Sequence, residues 1–257
     1  MMNTGGSGVS LPPFFDLSAF STIGSTNEEA RRLADLERGE GQLVWSLKQT
    51  HGVGRRGRQW NSPSGNLYCS LLLRPNCDAA EGAKLSFLVA VAMYDTLQQI
   101  LPETTPLALK WPNDVLISGK KVAGILLESK SNNKNQLEWL IVGTGVNVAS
   151  FPAVTDGLAA TSITQAGGDA KLEGLLCSYA THFLALYQLW QKQGFSSIRE
   201  KWLARASGVG SEVTVKLANN QFVGTFTDMD ETGALVLTMQ DGSTKLVTAG
   251  EVFFQNT

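Results

Sequence analysis

The fold of this 257-residue chain is decided by the stretch Leu107-Ala108-Leu109-Lys110-Trp111-Pro112-Asn113-Asp114-Val115-Leu116-Ile117. An apolar strand is interrupted by Lys-Trp-Pro-Asn-Asp and then resumes. Proline cannot donate to a central β-ladder, so the chain must turn or bulge at Pro112. A plain β-turn would explain Pro-Asn-Asp but not Lys110 and Trp111. Because burying these polar groups is costly unless they bind one another or a ligand, we interpret the pentamer as part of a binding site.

A glycine- and arginine-rich loop lies upstream and reads Gln49-Thr50-His51-Gly52-Val53-Gly54-Arg55-Arg56-Gly57-Arg58-Gln59-Trp60. Glycine allows positive φ and the close approach of a ligand. Arginine presents a planar fork of donors that matches carboxylates and phosphates, and no acidic residue of the loop neutralises it. An exposed, solvated loop is the ordinary interpretation of such a sequence. The unusual residues around it favour a loop that orders around an anion.

A helix is predicted to begin at Ser25-Thr26-Asn27-Glu28-Glu29 and to end near Glu37. Ser25 with Glu28, or Thr26 with Glu29, would form a capping box, and helix capping alone explains both hydroxyls. The alternative is that the free N–H groups and hydroxyls at this helix start bind a polar group of a ligand.

Two further strands contain residues that are unusual for a sheet. Lys121 begins the otherwise apolar strand Lys121–Glu128, although a strand-end lysine is by itself most often a solubility residue. The strand Gln136–Val142 runs into Gly143 and Gly145. Glycines within a strand predict a bulge or the close approach of another group.

Composition and charge argue against several classes of protein. The chain has 21 basic and 23 acidic residues, whereas nucleic-acid-binding proteins show a basic excess or a basic stripe. The longest apolar run, Phe87–Met93, is far shorter than the roughly 20 residues that span a bilayer, and the N-terminus lacks a signal-peptide pattern. The three cysteines are widely spaced and predict neither a zinc site nor a disulfide framework. We therefore expect a reducing, cytoplasmic setting.

Hydrophobic patterning predicts an α+β protein in two parts. The predicted elements of the first part are strands at 43–48 and 66–74 and helices at 79–101, 172–190 and 197–206. After Gly208 the pattern changes to short alternating strands, separated by hairpin signals such as Asn219-Asn220 and Asp241-Gly242. The predicted organisation is a flexible tail at 1–20, with Met1–Ser10 disordered, a main domain at 21–207 and a small all-β domain at 208–257.

In their order along the chain, these motifs closely resemble those of the biotin protein ligases, from about Ser21 to the C-terminus. Each motif alone is weak, whereas Lys-Trp-Pro-Asn-Asp is specific and the ordered set is very specific. The resemblance implies a catalytic domain related to class II aminoacyl-tRNA synthetases, with a mixed sheet flanked by helices, and a small SH3-like C-terminal barrel. It also implies a monofunctional form, since residues 1–20 predict no helix-turn-helix for binding DNA.

The same resemblance implies a two-step reaction. Biotin and ATP, with Mg²⁺, would give biotinyl-5′-adenylate and pyrophosphate, and biotin would then pass to a lysine of a biotin carboxyl carrier protein. Neither nucleic acid nor a membrane is an expected partner. A homodimer through an edge strand is compatible with the resemblance, which leaves the oligomeric state open.

Roles in biotin binding follow from matching the family motifs to this sequence. The residues implied are Ser25, Thr26, Asn27, Gln49, Gly52, Val53, Gly54, Arg55, Lys121, Gly124 and Gly143. Among them, Arg55 would hold the biotin carboxylate, and Gly124 and Gly143 would let the bicyclic ring approach the sheet. Lys121 would bridge the carboxylate and the α-phosphate, which makes it the first candidate for the chemistry.

Contacts to ATP and the adenylate are implied for a second group of residues. These are Arg56, Arg58, Trp60, Lys110, Asn113 and Asn147. Asp114 is implied as a third catalytic residue beside Lys121 and Arg55, either holding Mg²⁺ or orienting the acceptor lysine.

The loop departs from the family pattern Gly-Arg-Gly-Arg-Arg-Gly at Val53, which stands where the first arginine is usual. If that arginine acts through its backbone N–H, valine keeps the contact. If its charge holds the adenylate, this chain should release the intermediate or bind biotin more weakly. We expect activity to survive.

Two other functions stay open on the sequence alone. A lipoate ligase would share the fold and the adenylation chemistry, although the Gly/Arg loop and Lys-Trp-Pro-Asn-Asp favour biotin. A non-catalytic biotin-binding module is the second. It would need neither Lys121 nor the pair Arg55 and Arg58, because binding the neutral rings of biotin requires no such charges.

Overall fold

The structure, a computed structural model, describes residues 9–153, 158–217 and 220–254. Most of the segment predicted to be disordered, Met1–Ser10, lies outside the described residues. So does Asn219 of the predicted hairpin turn.

A seven-stranded mixed sheet forms the larger part of the molecule. Its strands are Asp16–Phe20 (β1), Gln42–Ser46 (β2), Leu67–Leu73 (β3), Leu107–Lys110 (β4), Asp114–Ile117 (β5), Lys120–Ser131 (β6) and Leu137–Val146 (β7). The hydrogen-bonded order is β1-β2-β3-β7-β6-β5-β4. β1 and β2 run parallel, and the other neighbouring pairs are antiparallel. The turn predicted at Pro112 therefore joins β4 to β5 as a hairpin.

Helices cover both faces of this sheet. They are Thr26–Asp35 (α1), Ala79–Ala83 (α2), Leu85–Gln98 (α3), Leu172–Gln193 (α4) and Ser196–Leu203 (α5). On one face, Ala30 and Leu33 of α1 pack in a cluster with Leu72 of β3. Leu71 and Leu73 point the other way, into the larger core that contains α3 and α4. Because both faces are covered, all seven residues of β3 are buried, which explains why all of them except Ser70 are apolar or aromatic.

The predicted tail at 1–20 is too long. Residues Asp16–Phe20 form β1 and pair in register with Gln42–Ser46. Phe15 packs against the large core, with its ring centroid 6.4 Å from that of Phe183 in α4. The sequence Asp-Leu-Ser-Ala-Phe alternates only weakly, so its strand depends on the tertiary partner β2.

The helix predicted at 79–101 is two helices that meet at Lys84. Asp78 caps the first one by accepting a hydrogen bond of 2.8 Å from the N–H of Glu81. At the junction, the N–H of Lys84 bonds to Glu81 O and the N–H of Phe87 bonds to Lys84 O, which tightens the turn. Lys84 keeps helical dihedral angles (φ −68°, ψ −16°), so the hydrophobic pattern runs through the break.

A small antiparallel domain follows the helices. Its strands are Glu212–Lys216 (β8), Gln221–Met229 (β9), Leu235–Thr238 (β10), Thr244–Val247 (β11) and Glu251–Phe254 (β12), in the order β11-β10-β9-β8-β12. The predicted fold class is confirmed: an α+β domain with a mixed sheet and flanking helices precedes an SH3-like all-β domain. The division at Ser207 stays a prediction.

Polar contacts hold the small domain against the large one. Arg199 of α5 donates to both carboxylate oxygens of Asp228 in β9, at 2.7 and 2.6 Å. The indole N–H of Trp111 donates to the carbonyl of Gly233 at 3.0 Å. These contacts hold the small domain beside the Lys-Trp-Pro-Asn-Asp turn. In the part of the chain that the structure describes, no helix has both the length and the apolar character to cross a membrane.

Candidate active site

A cavity of about 490 Å³ opens between the start of α1, the Gly/Arg loop, strands β5 to β7 and strand β12. Nearly all of the residues singled out in the sequence line it. They are Ser25, Thr26, Asn27, Gln49, Val53, Gly54, Arg55, Arg58, Trp60, Lys110, Asn113, Asp114, Lys121, Gly124, Gly143 and Asn147. The sequence motifs, which span more than a hundred positions, therefore meet in one place.

Gly52 and Arg56 are the two predicted site residues that do not line this cavity. The carbonyl of Gly52 accepts a hydrogen bond of 2.9 Å from the N–H of Trp60. A β-carbon on Gly52 would lie 2.4 Å from both the Ser62 hydroxyl and the Trp60 carbonyl, so glycine lets the two ends of the loop close on each other. Arg56 instead lies with its Nη1 3.6 Å from the Glu251 carboxylate.

The start of α1 faces the cavity and lacks the predicted side-chain caps. Ser25 is the N-cap of α1, but its side chain makes no capping hydrogen bond to any residue that the structure describes. The N–H and the hydroxyl of Thr26 both donate to Gln49 Oε1, at 2.8 and 3.0 Å. Glu29 pairs with Arg32 and does not reach back to the helix start. The predicted capping boxes are wrong, and the alternative, a helix start that faces a ligand cavity, agrees with the geometry.

Gln49, the first residue of the loop, links α1 to Ser62, which follows the end of the loop. Since its oxygen accepts from Thr26, its Nε2 faces the Ser62 hydroxyl and donates to it at 3.0 Å. Ser62 in turn donates to the Trp60 carbonyl at 2.8 Å. The direction of every hydrogen bond along this chain is therefore defined, and the polar wall of the cavity is set before any ligand enters.

Three charged side chains from the pentamer and β6 meet at the opposite wall. Lys121 Nζ lies 2.5 Å from Asp114 Oδ1, and Lys110 Nζ lies 3.8 Å from Asp114 Oδ2. Burial lowers the pKa of the Lys110 ammonium below its ordinary value, and the nearby charges of Lys121 and Arg55 add to this, while Asp114 opposes it. Two ammonium groups thus share one carboxylate, which leaves this wall with an excess of positive charge.

Arg55 brings a further positive charge from the loop to the same wall. Its Nη1 donates to Asn113 Oδ1 at 2.8 Å, and Asn113 Nδ2 donates to the carbonyl of Ile125 at 2.7 Å. Burial lowers the pKa of the Arg55 guanidinium, and Asp114 partly offsets this effect. The loop and the pentamer are therefore joined by a hydrogen bond between side chains that the sequence assigned to different parts of the site.

The indole of Trp60 lies on a floor made of two paired glycines. Gly124 of β6 and Gly145 of β7 are register partners, and β-carbons on them would lie 3.1 and 2.6 Å from the indole. Lys121 Nζ is 5.3 Å from the ring centroid. Among the described residues, Trp60 Nε1 is buried without a hydrogen-bond partner.

The small C-terminal domain contributes a wall that sequence reasoning missed. Glu251 and Phe253 of β12 line the cavity. The Glu251 carboxylate forms an ion pair with Arg58, and the Phe253 ring centroid lies 5.9 Å from Lys110 Nζ. No local pattern singles out these residues, because each is one of many acidic or aromatic positions in short strands.

Ten other lining residues received no individual role from the sequence, although Gln59 and Pro112 belong to the quoted motifs. They are Gln59, Asn61, Pro112, Ile125, Leu126, Thr144, Gly145, Pro152, Leu158 and Ala160. Several are neighbours of predicted residues. Gly145 is one of the two strand glycines predicted to mark a bulge or a close approach, and it lies two positions after Gly143 on the same face of β7.

Comparison with known proteins places the chain in a class. Residues 20–147 match the model of the Biotin/lipoate A/B protein ligase family, and residues 208–255 match the Biotin protein ligase C terminal domain. A biotin--[acetyl-CoA-carboxylase] ligase of Paracoccus denitrificans is 40% identical over 241 residues, which cover 90% of this chain and 97% of the relative. A bifunctional ligase/repressor of Bacillus spizizenii is 35% identical over 234 residues, which cover 88% of this chain and 70% of that relative.

A solved structure agrees with these relatives. Biotin protein ligase from Aquifex aeolicus in complex with biotin and ATP matches with a TM-score of 0.77 and 28% identity, covering 94% of this chain and 99% of that one. The fold and the cavity therefore define a protein of the biotin and lipoate ligase class. The C-terminal domain and the Paracoccus relative narrow this further, and the chain belongs to the biotin protein ligases. The family resemblance seen in the sequence is confirmed.

Proposed function

We propose that this chain is an ATP-dependent biotin protein ligase, which joins biotin and ATP to biotinyl-5′-AMP and then transfers biotin to a lysine of a carrier protein. The observation that supports this most is the meeting of Lys110, Lys121 and Arg55 beside the polar start of α1 in one cavity. A lipoate ligase is disfavoured because the C-terminal domain matches the biotin protein ligases and because a relative covered over 97% of its length is named for biotin. A binding module without catalysis would have no use for three converging cations.

The chemical problem is to bring two anions together. In the first step, a carboxylate oxygen of biotin attacks the α-phosphorus of ATP, and the bond to the departing pyrophosphate breaks. Two unit charges roughly 4 Å apart repel each other by about 4 kcal/mol at an effective dielectric constant of about 20. Cations fixed before the substrates bind offset this repulsion without reorganising during the reaction. Lys121, whose side chain is more exposed to the cavity than that of Lys110, is the group we assign to both anions.

The two ends of the cavity suit the two substrates. We assign the ureido ring of biotin to the end formed by Ser25, Thr26, Asn27 and Gln49, where buried polar groups of fixed direction can match its N–H and C=O groups. We assign the adenylate to the end with Trp60, whose broad ring suits a nucleotide. Arg58, Asn113 and Asn147 complete that side, and a contact from Arg56, which lies outside the cavity lining, stays a prediction.

In the second step, the amine nitrogen of the acceptor lysine attacks the acyl carbon, an amide forms and AMP leaves. The amine must be neutral to attack, so a nearby acceptor for its proton favours the step. Asp114 Oδ1 is buried and, among the described residues, has Lys121 as an ion-pair partner but no well-directed hydrogen bond. We therefore assign Asp114 the role of orienting the incoming amine.

Asp114 is a poor resident site for magnesium. Both of its oxygens already face ammonium groups, and the described residues contain no cluster of three side chains able to hold a metal. Magnesium is commonly held by one or two carboxylates together with the phosphates of a substrate. We propose that Mg²⁺ enters with ATP as part of the substrate.

The acceptor and the compartment are proposed on indirect grounds. The Paracoccus relative is named for acetyl-CoA carboxylase, so we propose a biotin carboxyl carrier domain of such a carboxylase as the acceptor. Cys69, Cys77 and Cys177 are all free thiols, which supports a reducing compartment, and we propose the cytoplasm.

Exchange of labelled pyrophosphate into ATP tests the function directly. We expect exchange when biotin is supplied, because the first step is reversible, and none with lipoate. Exchange with lipoate alone would overturn the substrate, and exchange with neither would overturn the enzymatic function. Omitting both acids is the control for contaminating ATP-using enzymes.

The substitution Val53→Arg restores the arginine usual in the family, and we expect it to change the exchange rate by less than about fivefold. The reason is that Val53 is exposed and bridges Gln59 through its backbone, while an added exposed charge contributes at most about 1 kcal/mol. Release of biotinyl-5′-AMP in the absence of carrier should also be unchanged, measured by rapid filtration after a single turnover. Much slower release, with Val53→Ala as the matched control, would show that the missing charge matters.

A further inference from the structure

We propose that Arg31 and Glu128 form a positioning pair that fixes the amide of Asn27 in the one orientation that accepts an N–H of biotin. This inference rests on the proposed function and assigns roles to two residues outside the cavity lining. Asn27 is buried, lines the cavity and lies against Gly143 of β7, since a β-carbon on Gly143 would fall 2.2 Å from Asn27 Oδ1.

Glu128 determines which end of the Asn27 amide faces the ligand. Asn27 Nδ2 donates to Glu128 Oε2 at 2.8 Å. A carboxylate only accepts hydrogen bonds, so the NH₂ end must face Glu128 and the oxygen must point the other way. Ser70, which donates to Asn27 Oδ1 at 2.6 Å, could accept as easily as it donates, and therefore does not determine the orientation by itself.

Arg31 holds the other oxygen of the same carboxylate. Its Nη2 lies 2.7 Å from Glu128 Oε1. Arg31 follows Asn27 by four positions on α1, so both side chains leave the same face of the helix and meet Glu128 of β6 together. Because the arginine side chain is 43% exposed and the glutamate 28%, the ion pair contributes little to stability. Its effect is on orientation.

The orientation of Asn27 matters because the other amide oxygen on this wall is already in use. Gln49 Oε1 receives two hydrogen bonds from Thr26. Asn27 Oδ1 receives one from Ser70 and keeps a second lone pair that can accept an N–H of a ureido ring. If the Asn27 amide were reversed, its NH₂ group would face the N–H of the ureido ring. Two buried donors would then be left without an acceptor. Leaving such groups unpaired weakens binding by roughly 10-fold to 100-fold.

The substitution Glu128→Gln tests the pair with little change in shape. The glutamine amide carries no charge, so the ion pair with Arg31 is lost. It can present either its NH₂ or its oxygen to Asn27, so the orientation of the Asn27 amide is no longer fixed. We expect the Kd for biotin, measured by calorimetry, to rise by about 10-fold, with the KM for ATP and the thermal midpoint unchanged. Glu29→Gln is the matched control, because Glu29 pairs with Arg32 on the same helix and does not line the cavity. We expect it to leave biotin binding unaltered.

A double substitution separates positioning from a general structural effect. In an Asn27→Ala background, Glu128→Gln should cause no further loss of biotin affinity, because Glu128 acts through Asn27. Equal losses in both backgrounds would overturn the proposal, as would unchanged biotin binding by the single Glu128→Gln variant. Failure of the unsubstituted protein to bind biotin would overturn the proposed function itself, which distinguishes the two failures.

Discussion

Replacing Lys121 by alanine is expected to reduce biotin-dependent pyrophosphate exchange by about 100-fold to 1,000-fold, the loss typical of removing one preorganised group that stabilises developing charge. Its ammonium group lies in the cavity, 2.5 Å from the Asp114 carboxylate and 5.3 Å from the Trp60 ring. We therefore expect it to reach both substrates. The effect should fall mainly on kcat, because Lys121 is assigned to the charge that develops between carboxylate and α-phosphate, and stopped-time exchange assays at saturating substrates measure it.

The design of this experiment must allow for Asp114. Removing Lys121 leaves a buried carboxylate with Lys110, at 3.8 Å, as its remaining partner in the cluster, so the free energy of unfolding should also fall. Thermal unfolding and biotin calorimetry of the variant show how much folded enzyme is present. The neighbouring substitution Lys120→Ala is the matched control, since Lys120 is exposed and outside the cavity lining. Undiminished exchange by folded Lys121→Ala protein would refute the assignment.

Part of the site could be predicted because its signals are local. Lys110 and Asp114 stand out since charged residues interrupt an apolar strand, and the Gly/Arg loop stands out by composition alone. The structure brings these motifs to one cavity. Family resemblance supplied the individual roles, which residue patterns alone could not provide.

The rest of the site depends on contacts between distant parts of the chain. Glu251 and Phe253 reach the cavity from a different domain, and their position depends on contacts such as the one between Arg199 and Asp228. At the start of α1, local sequence predicted capping boxes, but Gln49 competes for the Thr26 N–H and hydroxyl and holds both. Such competition between local and tertiary hydrogen bonds cannot be read from spacing. The same holds for β1, whose strand forms because β2 is available as a partner.

The substitution Gly143→Ala is expected to raise the KM for biotin by about 10-fold to 100-fold while leaving the KM for ATP nearly unchanged. The added methyl group would lie 2.2 Å from Asn27 Oδ1, and Asn27 cannot easily turn aside, because Ser70 and Glu128 hold both ends of its amide. The amide must therefore break a hydrogen bond to make room, and it then presents the wrong geometry to the ureido ring. Steady-state exchange with each substrate varied in turn measures the two KM values.

The substitution Gly145→Ala is expected to have the opposite preference between the two substrates. Together with Gly143→Ala, it tests whether the cavity has separate ends for biotin and nucleotide. Gly145 lies two positions further along β7 on the same face, and its added methyl group would lie 2.6 Å from the Trp60 indole. We expect this substitution to raise the KM for ATP more than that for biotin, because Trp60 belongs to the nucleotide end. Gly174→Ala, in α4 with no atom within 4 Å of the added carbon, should change neither. If Gly143→Ala and Gly145→Ala raised the same KM to the same extent, the cavity would not have separate ends for biotin and nucleotide, and the two assignments would have to be withdrawn together.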